Sequence, residues 1–152
     1  MDMRGPLSSV VRQNPMPGSE KRVLVIDDDS LARSILRLVF KAEGYQCQVA
    51  ENGAMGLAML DQFQPDLVVT DHHMPVLTGL EFLELLHKKN RRNVPAVILI
   101  TCDSNHDLKT RALQSGARAV LEKPFDMDEI RSLANWLLHS EESIAVGATV
   151  VN

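Results

Sequence analysis

Three aspartates stand in a row directly after a short apolar run near the start of the chain. The run is "VLVI", residues 23–26, and Asp27, Asp28 and Asp29 follow it. Like charges at this spacing repel one another unless a cation lies among them. Carboxylate oxygens are the ligands that Mg²⁺ prefers, so the pattern indicates a magnesium site. Asp29 or Ser30 is expected instead to cap the helix that follows.

Three more polar residues lie at the ends of later apolar runs. Asp71 follows "DLVVT", Thr101 follows "AVILI", and Lys123 follows "RAVLE". If these runs are parallel strands, their carboxyl ends share one edge of the sheet, and the side chains converge there. Carboxylates, Mg²⁺, a hydroxyl and an ammonium group are suited to phosphoryl transfer, because each phosphoryl oxygen needs a positive or hydrogen-bonding partner. Asp71 would then be the nucleophile.

The elements that would position these residues follow from apolar patterning. The five runs "RVLVI", "QCQVA", "DLVVT", "AVILI" and "RAVLE" predict strands, and a helical segment follows each. Four runs are nearly continuous in apolar residues, as strands covered on both faces are, whereas "QCQVA" alternates and suits an edge. Residues 30–43 and 126–139 each place apolar side chains on one helix face. These are Leu31, Ile35, Leu38 and Ala42 in the first segment, and Ile130, Leu133, Ala134 and Leu137 in the second.

Helix boundaries have their own signals. An N-cap residue precedes an acidic residue by three positions at three places, and a glycine stands where two helices are expected to stop. The cap pairs are Thr78 with Glu81, Ser104 with Asp107, and Asp126 with Glu129, and the glycines are Gly44 and Gly116.

Composition and charge bound the function. The chain has 152 residues, 45% of them apolar, and a net charge of −4, which does not favour a nucleic-acid or anionic-membrane partner. No apolar run approaches the roughly 20 residues that cross a bilayer. Cys47 and Cys102 have no metal-ligand spacing and do not suggest a disulfide scaffold, so we expect a reducing cytoplasm.

Strictly alternating strands and helices predict an α/β fold with a parallel sheet and helices on both faces, and ligands at the carboxyl ends of the strands. Residues 1–20, rich in Pro, Gly, Ser and Asn, are expected to be a flexible N-terminal extension. Residues 21–140 would form the domain, and residues 141–152 a flexible tail too short for a second domain.

Four motifs together resemble the receiver domain of two-component response regulators. They are "VLVIDDDS", "VVTDHHMPVLTGLEFL", "VILITCDS" and "AVLEKPF", in that order, and the resemblance covers residues 21–140. It implies a flavodoxin-like doubly wound (βα)5 sheet with strand order 2-1-3-4-5. It further implies Asp71 as phosphoacceptor, and Mg²⁺ held by Asp27, Asp28, Asp71 and the backbone carbonyl of His73. Thr101 would be the switch hydroxyl, Lys123 the phosphate partner, and Pro124 would follow a cis peptide bond.

The chain departs from the family pattern at two positions. Val120 stands three residues before Lys123, where the family usually has Tyr, Phe or His, so an aromatic rotation cannot accompany movement of Thr101. Cys102 follows Thr101, where Ala, Ser or Gly is commoner. The resemblance also implies that His73 and Asp103, two residues past Asp71 and Thr101, flank the path of the water that hydrolyses the acyl phosphate.

The function implied is a phosphorylation switch rather than an enzyme. A bacterial, cytoplasmic stand-alone receiver without an output domain would take phosphoryl groups from a histidine kinase or a histidine phosphotransfer protein. It would signal by docking through the face of the fourth helix, fifth strand and fifth helix, and a phosphorylation-dependent homodimer is a further expectation. No direct nucleic-acid or membrane contact is expected.

Three alternatives remain. A degenerate receiver would be a constitutive binding module, although the chain lacks none of the acids, the Thr or the Lys. A haloacid-dehalogenase-like phosphatase also has an Asp-rich strand end, but "DDDSL" lacks the usual Thr or Val two residues on, and the late acidic pair and cap insertion of that family are missing. His72 and His73 suggest zinc only weakly, because adjacent residues rarely point the same way and no other ligand is suitably spaced.

Overall fold

The computed structural model of the chain describes residues 20–89 and 94–145. Strands and helices alternate throughout this part. They are β1 Arg22–Ile26, α1 Ser30–Ala42, β2 Gln46–Ala50, α2 Gly53–Phe63, β3 Leu67–Asp71, α3 Gly79–Lys88, β4 Ala96–Thr101, α4 His106–Gln114, β5 Ala119–Glu122 and α5 Met127–Ala145. Each predicted apolar run matches a strand to within one residue at either end.

The strands form one parallel sheet in the order β2-β1-β3-β4-β5, which confirms the predicted α/β fold and strand order. β2 is an edge strand, as its alternating pattern predicted. Register brings the strand ends level, because Ile26 lies opposite Thr70, Asp71 opposite Ile100, and Thr101 opposite Glu122. All the residues that follow these ends therefore lie along one edge.

Two apolar clusters cover the two faces of the sheet, so the fold is doubly wound. Alternate residues of each strand point to opposite faces, and successive β1 residues accordingly join different clusters. One cluster joins Leu24, Ile26, Val68 and Leu99 to α2, α3 and α4. The other joins Val23, Val25, Val69 and Ile98 to α1 and α5. Ile130, Ala134 and Leu137 of α5 are buried in the second cluster, as predicted.

The apolar residues predicted to share one face of α1 do so, but that face does not pack against the sheet. Its buried residues are Leu36 and Phe40, whereas Leu31 and Leu38 are 66% and 70% exposed and Ile35 is 39% exposed. The helix carries apolar residues on two faces, so periodicity did not select between them. The face with Phe40 is buried, because that large side chain fills the space between α1 and the sheet beside Val23 and Val25. The stripe Leu31, Ile35 and Leu38 faces outward.

Most predicted helix ends are confirmed. Thr78 and Glu81 form a reciprocal capping box, the Asp126 carboxylate accepts the amide of Glu129 at 2.8 Å, and Asp29 caps α1. The cap of α4 is Asn105 rather than Ser104, since the Asn105 side chain accepts the amide of Asp107. Gly44 and Gly116 follow α1 and α4 with φ of 93° and 107°, a conformation that favours glycine.

The C-terminal helix is longer than the predicted domain. α5 ends at Ala145, five residues past the predicted boundary at 140, because Glu141 to Ala145 contain no helix-breaking residue before Gly147. The rest of the predicted tail, residues 146–152, and residues 1–19 of the predicted extension lie outside the described residues. None of the helices in the described part combines the length and apolarity that crossing a bilayer requires.

Candidate functional site

The sheet edge brings three carboxylates together. Asp27 and Asp28 follow β1, Asp71 ends the neighbouring strand β3, and one oxygen from each lies within 4.8 Å of the others. Asp27 and Asp71 are only 4% and 6% exposed, while Asp28 is open to solvent. Three carboxylates that can each offer one oxygen, one of them at the surface, fit a hard divalent cation such as Mg²⁺.

Burial makes this cluster electrostatically costly. Burial is the largest influence on the pKa of Asp27 and raises it, and the nearby charges of Asp71 and Asp28 act in the same direction. The backbone N–H of Asp29, which donates to Asp27 Oδ1 at 2.9 Å, and the charge of Lys123 lower the pKa, but the net shift is upward. The carboxylate of Asp27 thus lacks full compensation from the protein alone, and a bound cation would supply it.

Lys123 brings one positive charge to the edge. It follows β5, where its backbone N–H donates to the carbonyl of Thr101 at 2.8 Å, and the predicted cis bond joins it to Pro124. Its Nζ lies 3.1 Å from Asp71 Oδ1. Burial is the largest influence on the pKa of Lys123 and lowers it, but the hydrogen bond and charge of Asp71, with the charge of Asp27, raise it overall. The ammonium is held in its charged form beside Asp71.

Thr101 presents its hydroxyl at the end of β4. The residue is 1% exposed, and its Oγ1 accepts the backbone N–H of Asp103 at 2.9 Å. Because the oxygen accepts this bond, the hydroxyl proton remains available to donate to another oxygen. Val120 lies within β5, opposite Leu99, and packs partly buried against the cluster beneath α2, α3 and α4.

The loop from β3 to α3 turns sharply beside Asp71. The backbone carbonyl of His72 accepts the N–H of Gly79 at 3.0 Å. The imidazole Nδ1 of the same histidine accepts the N–H of Leu80 at 3.4 Å. Gly79 is needed here, because a Cβ at this position would collide with the backbone carbonyl of Asp71. The start of α3 is therefore held directly against the end of β3.

The imidazole rings of the two histidines in this loop belong to no cluster of metal-binding side chains in the part of the chain that the structure describes. Their rings lie edge-on, with centroids 4.8 Å apart, and His73 is exposed. Within residues 20–89 and 94–145, the carboxylates of Asp27, Asp28 and Asp71 are the group of three or more ligands that could hold an ion. Neither histidine belongs to it, so the weak zinc hypothesis gains no support.

Two features of the edge were missed in the sequence. The Arg33 guanidinium, on the first turns of α1, donates to the backbone carbonyl of Asp27 at 2.7 Å and ties the acidic loop to the helix. A cation six residues after Asp27, within the helix that follows the acids, is the signal that could have found it. Val76, in the β3–α3 loop, is 85% exposed with φ of 73°, a strained conformation for a β-branched residue. Sequence pattern gave no sign of this strain.

Comparisons with known proteins agree with the geometry. Residues 23–135 match the family model described as the response regulator receiver domain. Sporulation initiation phosphotransferase F of Bacillus subtilis is 36% identical over 111 residues, which cover 73% of this chain and 88% of that protein. The DNA-binding transcriptional regulator NtrC of Escherichia coli is 39% identical over 111 residues, but the chain spans only 23% of its length.

Solved structures give the same result. The receiver domain of the Francisella response regulator 1452 has a TM-score of 0.74 and 30% identity, over 80% of this chain and 99% of that one. A CheY-like receiver domain protein from Methanospirillum hungatei has a TM-score of 0.75 and 27% identity, over 82% and 98%.

Proposed function

The chain belongs to the response regulator receiver domain family, and on that premise we propose that it is a phosphorylation switch whose phosphoacceptor is Asp71. The observation that carries the proposal is the surroundings of this one buried carboxylate. Asp71 contacts the Lys123 ammonium at 3.1 Å and lies within 4.8 Å of two further carboxylates at the same sheet edge.

In the proposed step, a carboxylate oxygen of Asp71 attacks the phosphorus of a phosphohistidine in a histidine kinase or histidine phosphotransfer protein. The P–N bond breaks, a P–O bond to Asp71 forms, and the released imidazole nitrogen keeps the electron pair of the broken bond and takes a proton from water. Lys123 would exchange its contact with the carboxylate for one with a phosphoryl oxygen, and the Thr101 hydroxyl would donate to another.

Asp27, Asp28, Asp71 and the backbone carbonyl of His73 would hold Mg²⁺. When bound, the ion would supply positive charge to the transferring phosphoryl oxygens and to the acid cluster. The buried Asp27, whose pKa is raised chiefly by burial, supports this role, because a folded protein retains such a carboxylate at a cost that a cation offsets.

The wider proposal is a cytoplasmic switch without catalytic turnover on a separate substrate. Phosphorylation would change the face formed by α4, β5 and α5, since Thr101 and Lys123 lead directly into those elements. That face would dock a downstream protein or a second copy of the chain.

Acetyl phosphate with Mg²⁺ tests the central step. We expect intact-mass analysis to show one added phosphoryl group in the wild type and none in Asp71→Asn. A matched control is Asp66→Asn, which changes an acid beside the other end of β3, where its carboxylate accepts the Arg22 amide at 2.9 Å. Labelling that persists in Asp71→Asn would overturn the assignment. Peptide mapping to Asp27 would favour the haloacid-dehalogenase-like alternative, and no labelling at all would favour a degenerate receiver.

A further inference from the structure

Three hydrogen bonds from backbone N–H groups to side chains lead from Thr101 to the first turn of α4. Thr101 Oγ1 accepts the amide of Asp103 at 2.9 Å, and Asp103 Oδ1 accepts the amide of Asn105 at 2.9 Å. Asn105, the N-cap residue of α4, then accepts the amide of Asp107 through its Oδ1 at 2.8 Å. We call these bonds the Thr101–Asp107 ladder.

The regular spacing makes the ladder continuous. Each bond links a side chain to the backbone N–H two residues later in the chain. A residue that donates its amide in one bond therefore provides the side-chain acceptor of the next. Asp103 and Asn105 therefore serve twice, with the backbone as donor and the side chain as acceptor. Single residues, Cys102, Ser104 and His106, separate the residues that form the ladder. The hydrogen-bonded turns therefore run without interruption from the Thr101 hydroxyl to the helix.

We propose that Asp103 and Asn105 are positioning residues that couple the Thr101 hydroxyl to the N-terminus of α4. The inference rests on the proposed phosphorylation of Asp71. When the hydroxyl turns toward a phosphoryl oxygen, its oxygen moves away from the Asp103 amide. The first bond weakens, the Asp103 carboxylate no longer fixes Asn105, and the cap of α4 changes in turn.

The partly buried Val120 gives this route particular weight. The side chain of Val120 packs into the core cluster and has no ring to rotate into space vacated by Thr101. The ladder needs no such ring, because it transmits the change along the loop itself. The first buried side chain after the ladder, Leu108, packs in that same cluster, so movement of the cap reaches the core of the α4 face.

Amide NMR on the full chain tests the coupling, with Mg²⁺ present and beryllofluoride as the mimic of the acyl phosphate. In the wild type we expect beryllofluoride to shift the amides of Asp103, Asn105 and Asp107. In Asp103→Ala the amide of Thr101 should still respond, while the shift at Asp107 should be largely lost. Asp103→Asn keeps an acceptor oxygen and should restore it. Ser104→Ala, an exposed residue of the same loop, should behave as the wild type.

Hydrogen exchange of the unmodified protein provides a second readout. The amide of Asp107 should exchange roughly fivefold faster in Asn105→Ala, the factor expected when a helix cap is lost. Thr101→Val, which removes the first acceptor, should raise exchange at Asp103 and also at Asn105. Exchange that rises at Asp103 alone would show separate turns and overturn the ladder.

The outcomes separate the two proposals. If acetyl phosphate labels Asp71 but Asp103→Ala transmits the full beryllofluoride shift to Asp107, the coupling is wrong and the phosphoacceptor assignment stands. If the wild type neither takes a phosphoryl group on Asp71 nor responds to beryllofluoride, both are overturned. Loss of the Asp107 shift in Asp103→Ala, with its return in Asp103→Asn, supports the coupling, because a merely destabilised loop would not recover with the restored acceptor.

Discussion

Lys123 Nζ lies 3.1 Å from Asp71 Oδ1, so the candidate phosphoacceptor is already paired with a cation in the resting protein. The Asp71 side chain is 7% exposed and that of Lys123 is 40% exposed. Solvent screens the ammonium partly, so the pair contributes less than a fully buried one would. The ammonium nevertheless lies close enough to Asp71 to bind an oxygen of a phosphoryl group attached to that carboxylate.

Replacing Lys123 tests this pairing. Lys123→Met should lower the free energy of unfolding in metal-free buffer by about 1 kcal/mol, because a buried carboxylate loses its partner. Added Mg²⁺ should recover more stability in this variant than in the wild type, because the ion takes over the neutralisation. Urea unfolding with and without EDTA measures both. Lys109→Met, on the exposed side of α4, is the control, and equal losses in the two variants would contradict the prediction.

Mg²⁺ should stabilise the folded protein, because it relieves repulsion among carboxylates that are assembled only on folding. At a hundredfold excess over its dissociation constant the gain is about 2.7 kcal/mol. Asp28→Ala should lose most of the increase in melting temperature. Asp29→Asn removes a neighbouring charge but keeps the oxygen that caps α1, and it should retain the increase. An Mg²⁺-independent melting temperature in the wild type would argue against the site.

Arg33 should hold the metal ligands in place. Its guanidinium donates to the carbonyl of Asp27 at 2.7 Å, and a bond of this charged type is worth roughly 1.5–3 kcal/mol. We expect Arg33→Met to weaken Mg²⁺ binding by about tenfold in a calorimetric titration. A tenfold change corresponds to about 1.4 kcal/mol, which is less than the energy of the lost hydrogen bond. Arg37→Met removes an exposed charge from the same helix and is the control. Loss of positive charge alone would strengthen cation binding, so a tighter Arg33→Met complex would show that positioning is not its role.

The lifetime of the acyl phosphate should depend on His73 more than on Asp103. His73 is exposed, and we expect its imidazole to obstruct the in-line approach of water, so His73→Asn should speed phosphate release by up to roughly tenfold. Asp103 already accepts the amide of Asn105 through Oδ1, so Asp103→Ala should change the rate less. The measurement is phosphate release from purified phosphoprotein after the donor is removed. Unchanged or slower release from His73→Asn would exclude the imidazole as the barrier.

Relief of strain at Val76 should stabilise the fold. A non-glycine residue at φ of 73° costs on the order of 1 kcal/mol, and Asn tolerates this conformation better than a β-branched residue does. Val76→Asn should therefore raise the free energy of unfolding by about 1 kcal/mol in urea. Val76→Thr keeps the branching while making the exposed side chain polar. A gain of equal size with Thr would mean that apolar exposure, and not backbone strain, was responsible.

The sequence predicted the sheet and the acidic edge because both depend on strong local signals. Apolar runs of the right length mark buried strands, and a parallel sheet aligns the residues that follow them, so the sequence alone groups Asp27, Asp71 and Lys123. The observed distances add that Lys123 pairs with Asp71, a contact between residues 52 positions apart in the chain.

Other features depend on choices between near-equivalent neighbours. α1 has apolar residues on two faces, and only the space available beside the sheet decides that Phe40 is buried and Leu38 is not. Ser104 and Asn105 are both capable caps, and the turn that begins at Thr101 selects Asn105. The spacing of Arg33 from Asp27 marks a candidate contact, but the bond ends on a backbone carbonyl, so side-chain types alone do not identify the acceptor.

The turn at Gly44 lies at the opposite edge of the sheet from the carboxylates, between the end of α1 and the start of β2. A side chain at this position would meet no atom within 4 Å, although φ of 93° still favours glycine there. The molecule thus separates its acidic edge from a turn that points into open space. A label carried by this turn would stand apart from Asp71 and leave access to it open.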